Sequence, residues 1–239
     1  EPRSKGKDLS PFLGLQAKIA NKLVWSKLQA KLGLQNTELL LSGSAPLSPH
    51  VHRFFLSLGF NLMEAYGLTE TCPGLTSNHP EDFRVGTVGK PFPNVDIQIA
   101  DDGEIMAKGP NITQGYLNRP DATAEIFDDD GWFLTGDLGK LEDGFLRITG
   151  RKKELIKTSG GKYVAPAKIE EHIKRHRLIQ EGVVIGDGHN YCVALIALDE
   201  EELADWAKSN GISSADARDK ARAEVETHFK DVNADLASF

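Results

Sequence analysis

The alternation of strand-like and helix-like patterns near the start of the chain most constrains its fold. The apolar run at residues 38–41 predicts a buried strand, and residues 60–64 predict a second strand. Between them, residues 48–58 predict a helix with Ser48 at its N-cap and Pro49 at its first position. A strand–helix–strand unit indicates an α/β layer with a parallel sheet, in which ligands bind at the carboxyl ends of the strands.

After residue 88 the pattern changes to paired strands. Alternating apolar residues at 95–99 and a return strand at 104–108 flank a turn at residues 101–103, which predicts a hairpin. Residues 138–149 predict a second hairpin of the same kind. This middle region is therefore expected to be β-rich and to form a distorted barrel.

The basic run Gly150-Arg151-Lys152-Lys153 is the predicted domain boundary. The sequence thus predicts residues 1–150 as an α/β layer followed by a β-rich subdomain. Residues 151–239 are predicted as a small α+β domain that is incomplete at its end. The further predicted elements are a helix at 12–34, a strand at 154–157, a helix from Pro166, strands at 182–185 and 192–198, and helices at 200–209 and 215–236.

The composition limits the class of protein and the class of partner. With 40% hydrophobic and 26% charged residues, the chain has the usual composition of a globular protein. A net charge of -7 argues against nucleic acid as a main partner, because no basic stripe would drive counterion release. Cys72 and Cys192 fit reduced thiols of a cytoplasmic protein better than a disulfide framework. No apolar run approaches the length of a membrane span.

Residues 130–157 carry the most chemical information. Asp137 sits in a tight Thr-Gly-Asp turn, and Arg151 follows a strand-like run. A carboxylate on a turn can accept two hydrogen bonds from a vicinal diol, and a guanidinium can donate to the same sugar or to a phosphate. This combination suits a nucleotide ribose. A surface hairpin with a capping Asp and a solvated basic patch is the alternative.

Two further loops follow the predicted strands. In residues 66–70, Tyr66 could stack on a base, Thr69 could hold a phosphate oxygen and Glu70 could bind Mg²⁺, which prefers oxygen ligands. The alternative is that Thr69 caps a helix and Glu70 complements the helix dipole. Residues 42–47 form a loop of small residues that would let backbone approach a flat ring closely, or would be a plain strand–helix turn.

Two groups of residues in the predicted second domain carry weaker signals. The loop containing Lys157, Gly160 and Gly161 could guide an anionic thiol substrate, although a solvated loop is an equal alternative. His172 and His176 share a helical face at i and i+4, as in some metal sites. No acidic or third ligand accompanies them in the sequence, so a metal is not expected there.

Taken in order, the motifs resemble those of the adenylate-forming (acyl-activating) superfamily, and most closely the long-chain fatty acyl-CoA synthetases. Residues 130–157 resemble the signature that separates these synthetases from luciferases and from peptide-synthetase adenylation domains. The resemblance covers nearly the whole chain. The matching segments are SGSAPL, YGLTE, GEIMAKGPNITQGY, FLTGD and GRKKELIKTSGGKYVAP.

The resemblance implies a ligase with ATP (and its product AMP), Mg²⁺ and CoA as cofactors. A fatty acid attacks the α-phosphate of ATP to give an acyl-adenylate and pyrophosphate, and the CoA thiol then displaces AMP. Because carboxylates are poor electrophiles, adenylation supplies the leaving group. Contact with a membrane is expected to be only peripheral, because the substrate is a lipid.

The resemblance also implies roles for individual residues in the nucleotide site. Gly43, Ser44, Ala45 and Tyr66 would border the adenine, with Gly67 beside them.

Other motifs would bind the phosphates, the ribose and the thiol. Thr69 would contact phosphate, Glu70 would bind Mg²⁺, and Asp137 and Arg151 would hold the ribose. Lys153 would be the hinge of the small domain. The loop with Lys157, Gly160 and Gly161 would line the pantetheine channel.

Two family features have no counterpart in this sequence. The family has a Ser/Thr/Gly-rich phosphate loop upstream of its SGSAPL-like motif, and nothing similar occurs in residues 1–41. The family also has an adenylation lysine near its C-terminus, which would come after Phe239. The chain is therefore expected to be a portion of a longer enzyme, with little or no ligase activity on its own. A fatty acyl-AMP ligase feeding a carrier protein and a non-catalytic nucleotide-binding module are the alternatives.

Overall fold

A computed structural model describes residues 11–235, and the chain divides into two compact units. The first unit is Glu1–Ile148 and the second is Thr149–Phe239. The elements of each unit are given below in chain order.

The first unit opens with helical turns. Helix α1 (Pro11–Ala20) and helix α2 (Ser26–Lys31) are separated by a π-helical segment, Asn21–Trp25. The helix predicted at residues 12–34 is thus interrupted by wider turns that periodicity alone does not reveal. It ends just before Gly33, whose φ of 72° is the left-handed conformation that favours glycine after a helix.

A four-stranded sheet in the order β1-β2-β3-β4 contains the predicted α/β unit. Helix α3 (Pro49–Ser57) connects β1 to β2, and these two strands pair in parallel with Ser42 opposite Glu64. The parallel unit is therefore confirmed, although each strand begins two residues later than predicted. The strands are β1 (Leu40–Ser42), β2 (Leu62–Tyr66), β3 (Thr76–Ser77) and β4 (Lys90–Pro91).

A second four-stranded sheet, in the order β5-β6-β7-β8, confirms the β-rich middle region. The two predicted hairpins are both present, and Gly103 (φ 88°) and Gly144 (φ 82°) supply the positive φ angles of their turns. The short helix α4 (Pro120–Glu125) lies between β6 and β7 in sequence. The strands are β5 (Asp96–Ile99), β6 (Glu104–Lys108), β7 (Phe133–Glu142) and β8 (Phe145–Arg151).

The core of the first unit contains residues from both sheets. Leu75, Ile105 and Leu146 are completely buried, and Tyr66 and Phe133 pack in the same cluster. Burying one such large apolar side chain stabilises the fold by about 1.5–3 kcal/mol. The core therefore fixes β2 of the first sheet and β7 of the second sheet within the same unit.

The second unit is a small α+β fold. The 3₁₀ turn Lys152–Glu154 replaces the start of the strand predicted at 154–157, because the chain bends before Ile156 enters the core. On the last helix, Ala221, Val225 and Val232 form the predicted buried stripe, whereas residue 236 lies outside the described residues. The elements are β9 (Ile156–Lys157), β10 (Tyr163–Val164), α5 (Pro166–Ile173), β11 (Ile179–Ile185), β12 (Val193–Leu198), α6 (Glu200–Ser209) and α7 (Ala217–Asp235).

Across residues 11–235, none of the helices combines the length and the apolar character that crossing a bilayer requires.

The stability of the second unit should fall as the pH drops below the ordinary pKa of histidine. Burial lowers the pKa of His176, and the neighbouring charge of His228 lowers it further. The unfolded chain therefore binds the proton first, and the free energy of unfolding decreases as the pH falls from about 7.5 to about 5.5. The backbone N–H of Leu178 donates to His176 Nδ1 at 3.3 Å. The variant His176→Asn keeps a side-chain acceptor for this N–H but cannot be protonated. This variant should show a shallower loss, measured by native-state hydrogen exchange of α7 amides. Equal pH slopes in the two proteins would contradict the expectation.

Candidate active site

The carboxyl ends of β1 and β2 lie side by side and present two loops. The parallel register places the chain leaving Ser42 next to the chain leaving Glu64. A side chain at Gly43 would meet the carbonyl oxygen of Ala65 at 3.3 Å, and one at Gly67 would fall 1.7 Å from the carbonyl oxygen of Pro73. Glycine at position 67 is therefore required by the close approach of backbone to backbone. The two loops that the sequence assigned to an adenine are neighbours in the structure.

An open groove of about 470 Å³ lies between these loops and is lined mainly by apolar groups. Gly43, Ser44, Tyr66 and Gly67 all line it, whereas Ala45 is exposed outside the lining. The size falls in the range of small-molecule pockets, and apolar walls with nearby backbone polar groups suit a flat heterocycle. The other lining residues are Leu41, Ala65, Cys72, Pro73, Gly74, Phe92, Pro93, Val95, Pro110 and Asn111.

Asp137 is not among the residues that line this groove, but a buried hydrogen bond joins it to Tyr66, which does line it. The Tyr66 hydroxyl donates to Asp137 Oδ2 at 2.7 Å, and the two residues are only 9% and 8% exposed. Asp137 lies within strand β7 and not in the tight turn that the sequence predicted, although Gly136 beside it has a φ of 74°. The backbone there is fixed as well, since Gly136 N–H donates to Glu104 Oε1 at 2.8 Å and Asp137 N–H donates to Thr135 Oγ1 at 3.1 Å. A carboxylate offers about four acceptor positions, so its chemistry matches the two donor hydroxyls of a diol.

The loop after Tyr66 forms a 3₁₀ turn that carries Thr69 and Glu70. Thr69 is exposed, Glu70 is half-buried, and the backbone N–H of Leu68 donates to Thr71 Oγ1 at 2.9 Å. The turn is therefore capped by Thr71, so the alternative in which Thr69 serves as the cap is wrong. Thr69 is left on the surface, where its hydroxyl can reach a ligand.

Glu70 has a partner that sequence reasoning missed. The Tyr116 hydroxyl donates to Glu70 Oε1 at 2.6 Å. This hydrogen bond raises the pKa of Tyr116, and burial and the negative charge of Glu70 raise it further, so the phenol remains a donor at neutral pH. The sequence shows Tyr116 only as the last residue of the segment GEIMAKGPNITQGY, because a contact across 46 residues leaves no local pattern.

The chemistry of Glu70 fits Mg²⁺ bound together with a nucleotide. Magnesium is usually held by one or two carboxylates and by the phosphates of its ligand, which a single surface carboxylate satisfies. Glu224 Oε1 lies 3.6 Å from His176 Nε2, and the His228 ring lies 5.2 Å from the His176 ring. Among residues 11–235, however, no group of three or more His, Cys, Asp or Glu side chains could hold a metal ion. The role of Glu70 as a ligand of a nucleotide-bound Mg²⁺ stays a prediction.

The basic residues of the second unit lie on its surface. Arg151 is exposed and pairs with Glu154 at 3.9 Å, a kind of surface ion pair that contributes about 0–1 kcal/mol. Lys153 is exposed in the 3₁₀ turn. The Lys157–Gly161 loop is also exposed, and a hydrogen bond from Gly161 N–H to Thr158 O at 2.8 Å closes it into a turn. The roles of these residues at a ribose, a hinge and a thiol channel stay predictions.

Two protein families match most of the chain. The AMP-binding enzyme family matches residues 13–117, and the C-terminal domain of AMP-binding enzymes matches residues 153–238. The long-chain-fatty-acid–CoA ligase FadD15 of Mycobacterium bovis is 44% identical over 232 residues. That alignment covers 93% of this chain and 38% of the relative, so the chain spans well under half of the relative's length.

Solved structures with bound nucleotides are similar to the chain. MatB from Rhodopseudomonas palustris with ATP bound superposes with a TM-score of 0.62 at 39% identity, covering 68% of this chain and 35% of that one. o-Succinylbenzoate CoA synthetase (MenE) from Bacillus subtilis, in complex with the acyl-adenylate intermediate OSB-AMP, gives a TM-score of 0.63 at 32% identity. Its alignment covers 77% of this chain and 43% of that one.

Removing the Tyr66 hydroxyl should destabilise the first unit. Tyr66→Phe leaves the buried Asp137 carboxylate without its phenol donor, and a hydrogen bond to a charged group is worth about 1.5–3 kcal/mol. The free energy of unfolding from urea titration should fall by about that amount. Tyr191→Phe is the matched control, because Tyr191 is 73% exposed and a surface change usually stays within about 0.5 kcal/mol. Equal stability of the two variants would contradict the expectation.

Proposed function

Because this chain belongs to the AMP-binding enzymes, we propose that the protein containing it is a long-chain fatty-acid–CoA ligase. It activates a fatty acid with ATP as an acyl-adenylate and transfers the acyl group to CoA, releasing AMP and pyrophosphate. The 44% identity to a long-chain-fatty-acid–CoA ligase supports the fatty acid and CoA as substrates. The likeness to an ATP complex and to an acyl-adenylate complex supports the first half-reaction.

The observation that carries the proposal is the buried hydrogen bond to Asp137 from Tyr66, a residue that lines the apolar groove. The adenine would occupy the groove between the Gly43–Ala45 loop and the Tyr66 loop. Its ribose would then reach the Asp137 carboxylate, which is already oriented and accepts hydrogen bonds from the sugar hydroxyls. A nucleotide held at both its base and its sugar places its phosphates in one defined direction.

The Thr69–Glu70 turn lies in the loop that follows Tyr66 and would bind the phosphates. The exposed Thr69 hydroxyl would donate to a phosphate oxygen, and Glu70 would hold the Mg²⁺ that accompanies ATP. When bound, that cation neutralises phosphate charge and so favours attack at the α-phosphate. This chain's own contribution to that step is positioning, because Asp137 and Glu70 are both fixed by hydrogen bonds from tyrosines.

The second unit would contribute a ribose contact and residues for the thioester-forming step. Arg151 would donate to the sugar, Lys153 would act as the hinge of the unit, and the Lys157–Gly161 loop would line the path of the pantetheine arm. CoA is proposed as the acceptor in preference to a carrier protein, because the relative with 44% identity is named a CoA ligase. Any contact with a membrane is proposed to be peripheral, since the substrate is a lipid.

Replacing the ribose acid should weaken nucleotide binding strongly. Asp137→Asn keeps the shape but removes the charge that strengthens two hydrogen bonds to the sugar. A loss of about 1.5–3 kcal/mol corresponds to about 10–100-fold weaker binding of AMP, measured by calorimetry on the full-length protein. Asp143→Asn is the matched control, because Asp143 is an exposed acid of the adjacent hairpin turn and asparagine tolerates its φ of 51°.

Pyrophosphate exchange tests the activity itself. The full-length protein with palmitate, ATP and Mg²⁺ should exchange labelled pyrophosphate into ATP, and Asp137→Asn should need higher ATP for the same rate. The acyl group should then be transferred to CoA rather than to a phosphopantetheine carrier protein. AMP binding without exchange on any fatty acid would instead identify a non-catalytic nucleotide-binding module.

A further inference from the structure

Glu70 is tied to Tyr116, a residue that lies far away in sequence. The phenol donates to Glu70 Oε1 at 2.6 Å, and Tyr116 is 39% exposed, so the pair lies at the surface of the first unit. A hydrogen bond to an ionised acceptor is about twice as strong as a neutral one. The contact therefore restricts the side-chain torsions of Glu70, which would otherwise be a flexible surface carboxylate.

The backbone around Glu70 is held by the same distant segment. Thr113 N–H donates to the Glu70 carbonyl oxygen at 2.7 Å. The Asn111 amide donates to the carbonyl oxygens of Thr71 at 2.9 Å and Gly74 at 2.7 Å. Residues 111–116 thus hold both the main chain and the side chain of the Thr69–Glu70 turn.

The backbone of Tyr116 is itself anchored. Its N–H donates to Thr123 Oγ1 at 2.9 Å, and the same hydroxyl donates to Arg119 O at 2.8 Å. A side chain at Gly115 would fall 2.4 Å from Thr123 Cγ2, and its φ of 133° also favours glycine. Glycine next to Tyr116 therefore lets the chain approach α4, and the phenol extends from a fixed backbone.

We propose that Tyr116 is a positioning residue that orients the Glu70 carboxylate for a metal–nucleotide complex by donating to Oε1. This inference rests on the proposed function and adds a residue to the same site. A carboxylate has acceptor positions on both oxygens, so a donor on Oε1 leaves Oε2 to meet the cation. Losing such an outer partner of a metal ligand typically costs about 10–100-fold in metal affinity.

The test compares three full-length proteins: the wild type, Tyr116→Phe, and the control Tyr191→Phe at the 73% exposed Tyr191. Binding of Mn²⁺ in the presence of ATP is followed by the electron paramagnetic resonance signal of the unbound ion, which needs no turnover. The Mg²⁺ dependence of pyrophosphate exchange gives a second readout. Thermal unfolding reports whether the loss of the hydroxyl changes folding.

Tyr116→Phe should raise the half-saturating Mn²⁺ and Mg²⁺ concentrations about tenfold, while Tyr191→Phe should match the wild type. Saturating Mg²⁺ should restore most of the exchange rate, because the catalytic groups themselves are intact. A purely structural role would instead lower the rate at every metal concentration. Equal metal titrations for Tyr116→Phe and the wild type would overturn the inference.

The two proposals fail in different ways. A wild type that binds Mn²⁺ with ATP but exchanges no pyrophosphate would overturn the proposed ligase activity, and the metal titrations would still decide the role of Tyr116. A wild type with normal exchange and an unshifted Tyr116→Phe titration would overturn the role of Tyr116 alone.

Discussion

The hydrogen bond from Tyr66 to Asp137 joins the two sheets of the first unit at the candidate site. Tyr66 is the last residue of β2, and Asp137 lies in β7 of the other sheet. A buried carboxylate is costly unless it is hydrogen-bonded, so the Tyr66 hydroxyl stabilises Asp137 within β7. The same core cluster that contains Tyr66 also contains Phe133 of β7, so packing and hydrogen bonding hold the same geometry.

Close backbone contacts require glycine at two positions beside the first sheet. At Gly67, and also at Gly89, a side chain would fall within 2 Å of a neighbouring carbonyl group. Gly67 packs the loop after β2 against Pro73, and Gly89 packs against Ser77 at the end of β3, in both cases without room for a Cβ atom. The groove is therefore shaped by the backbone, which suits recognition of a flat ring by shape.

Much of the fold could be predicted from local patterns. The strand–helix–strand unit and both hairpins follow from periodicity and turn residues, and these were found close to the predicted positions. The π-helical turns at 21–25 and the 3₁₀ turn at 152–154 were not predicted, because they change the hydrogen-bond spacing within an otherwise helical or extended pattern.

Only part of the candidate site could be predicted from local sequence patterns. The motifs indicated Asp137 and Glu70 as individual acids and Tyr66 as a residue beside the base, but not the hydrogen bonds that Tyr66 and Tyr116 donate to the acids. Those contacts span 71 and 46 residues, so they depend on how the sheets and loops pack and not on any local sequence signal. A contact between a phenol and a carboxylate from two distant motifs can be identified only from the folded structure.

The acidic and the basic residues of the candidate site differ in how well the fold orients their side chains before a ligand binds. Asp137 is buried and hydrogen-bonded before any ligand arrives, so binding a sugar there costs little further ordering. Arg151 and Lys153 are exposed, and such side chains lose about 2 kcal/mol of rotamer entropy when they are fixed. Exposed cations also act through solvent and are screened by salt within about 10 Å. The first unit therefore offers an oriented carboxylate, whereas any attraction from the exposed basic residues depends on ionic strength.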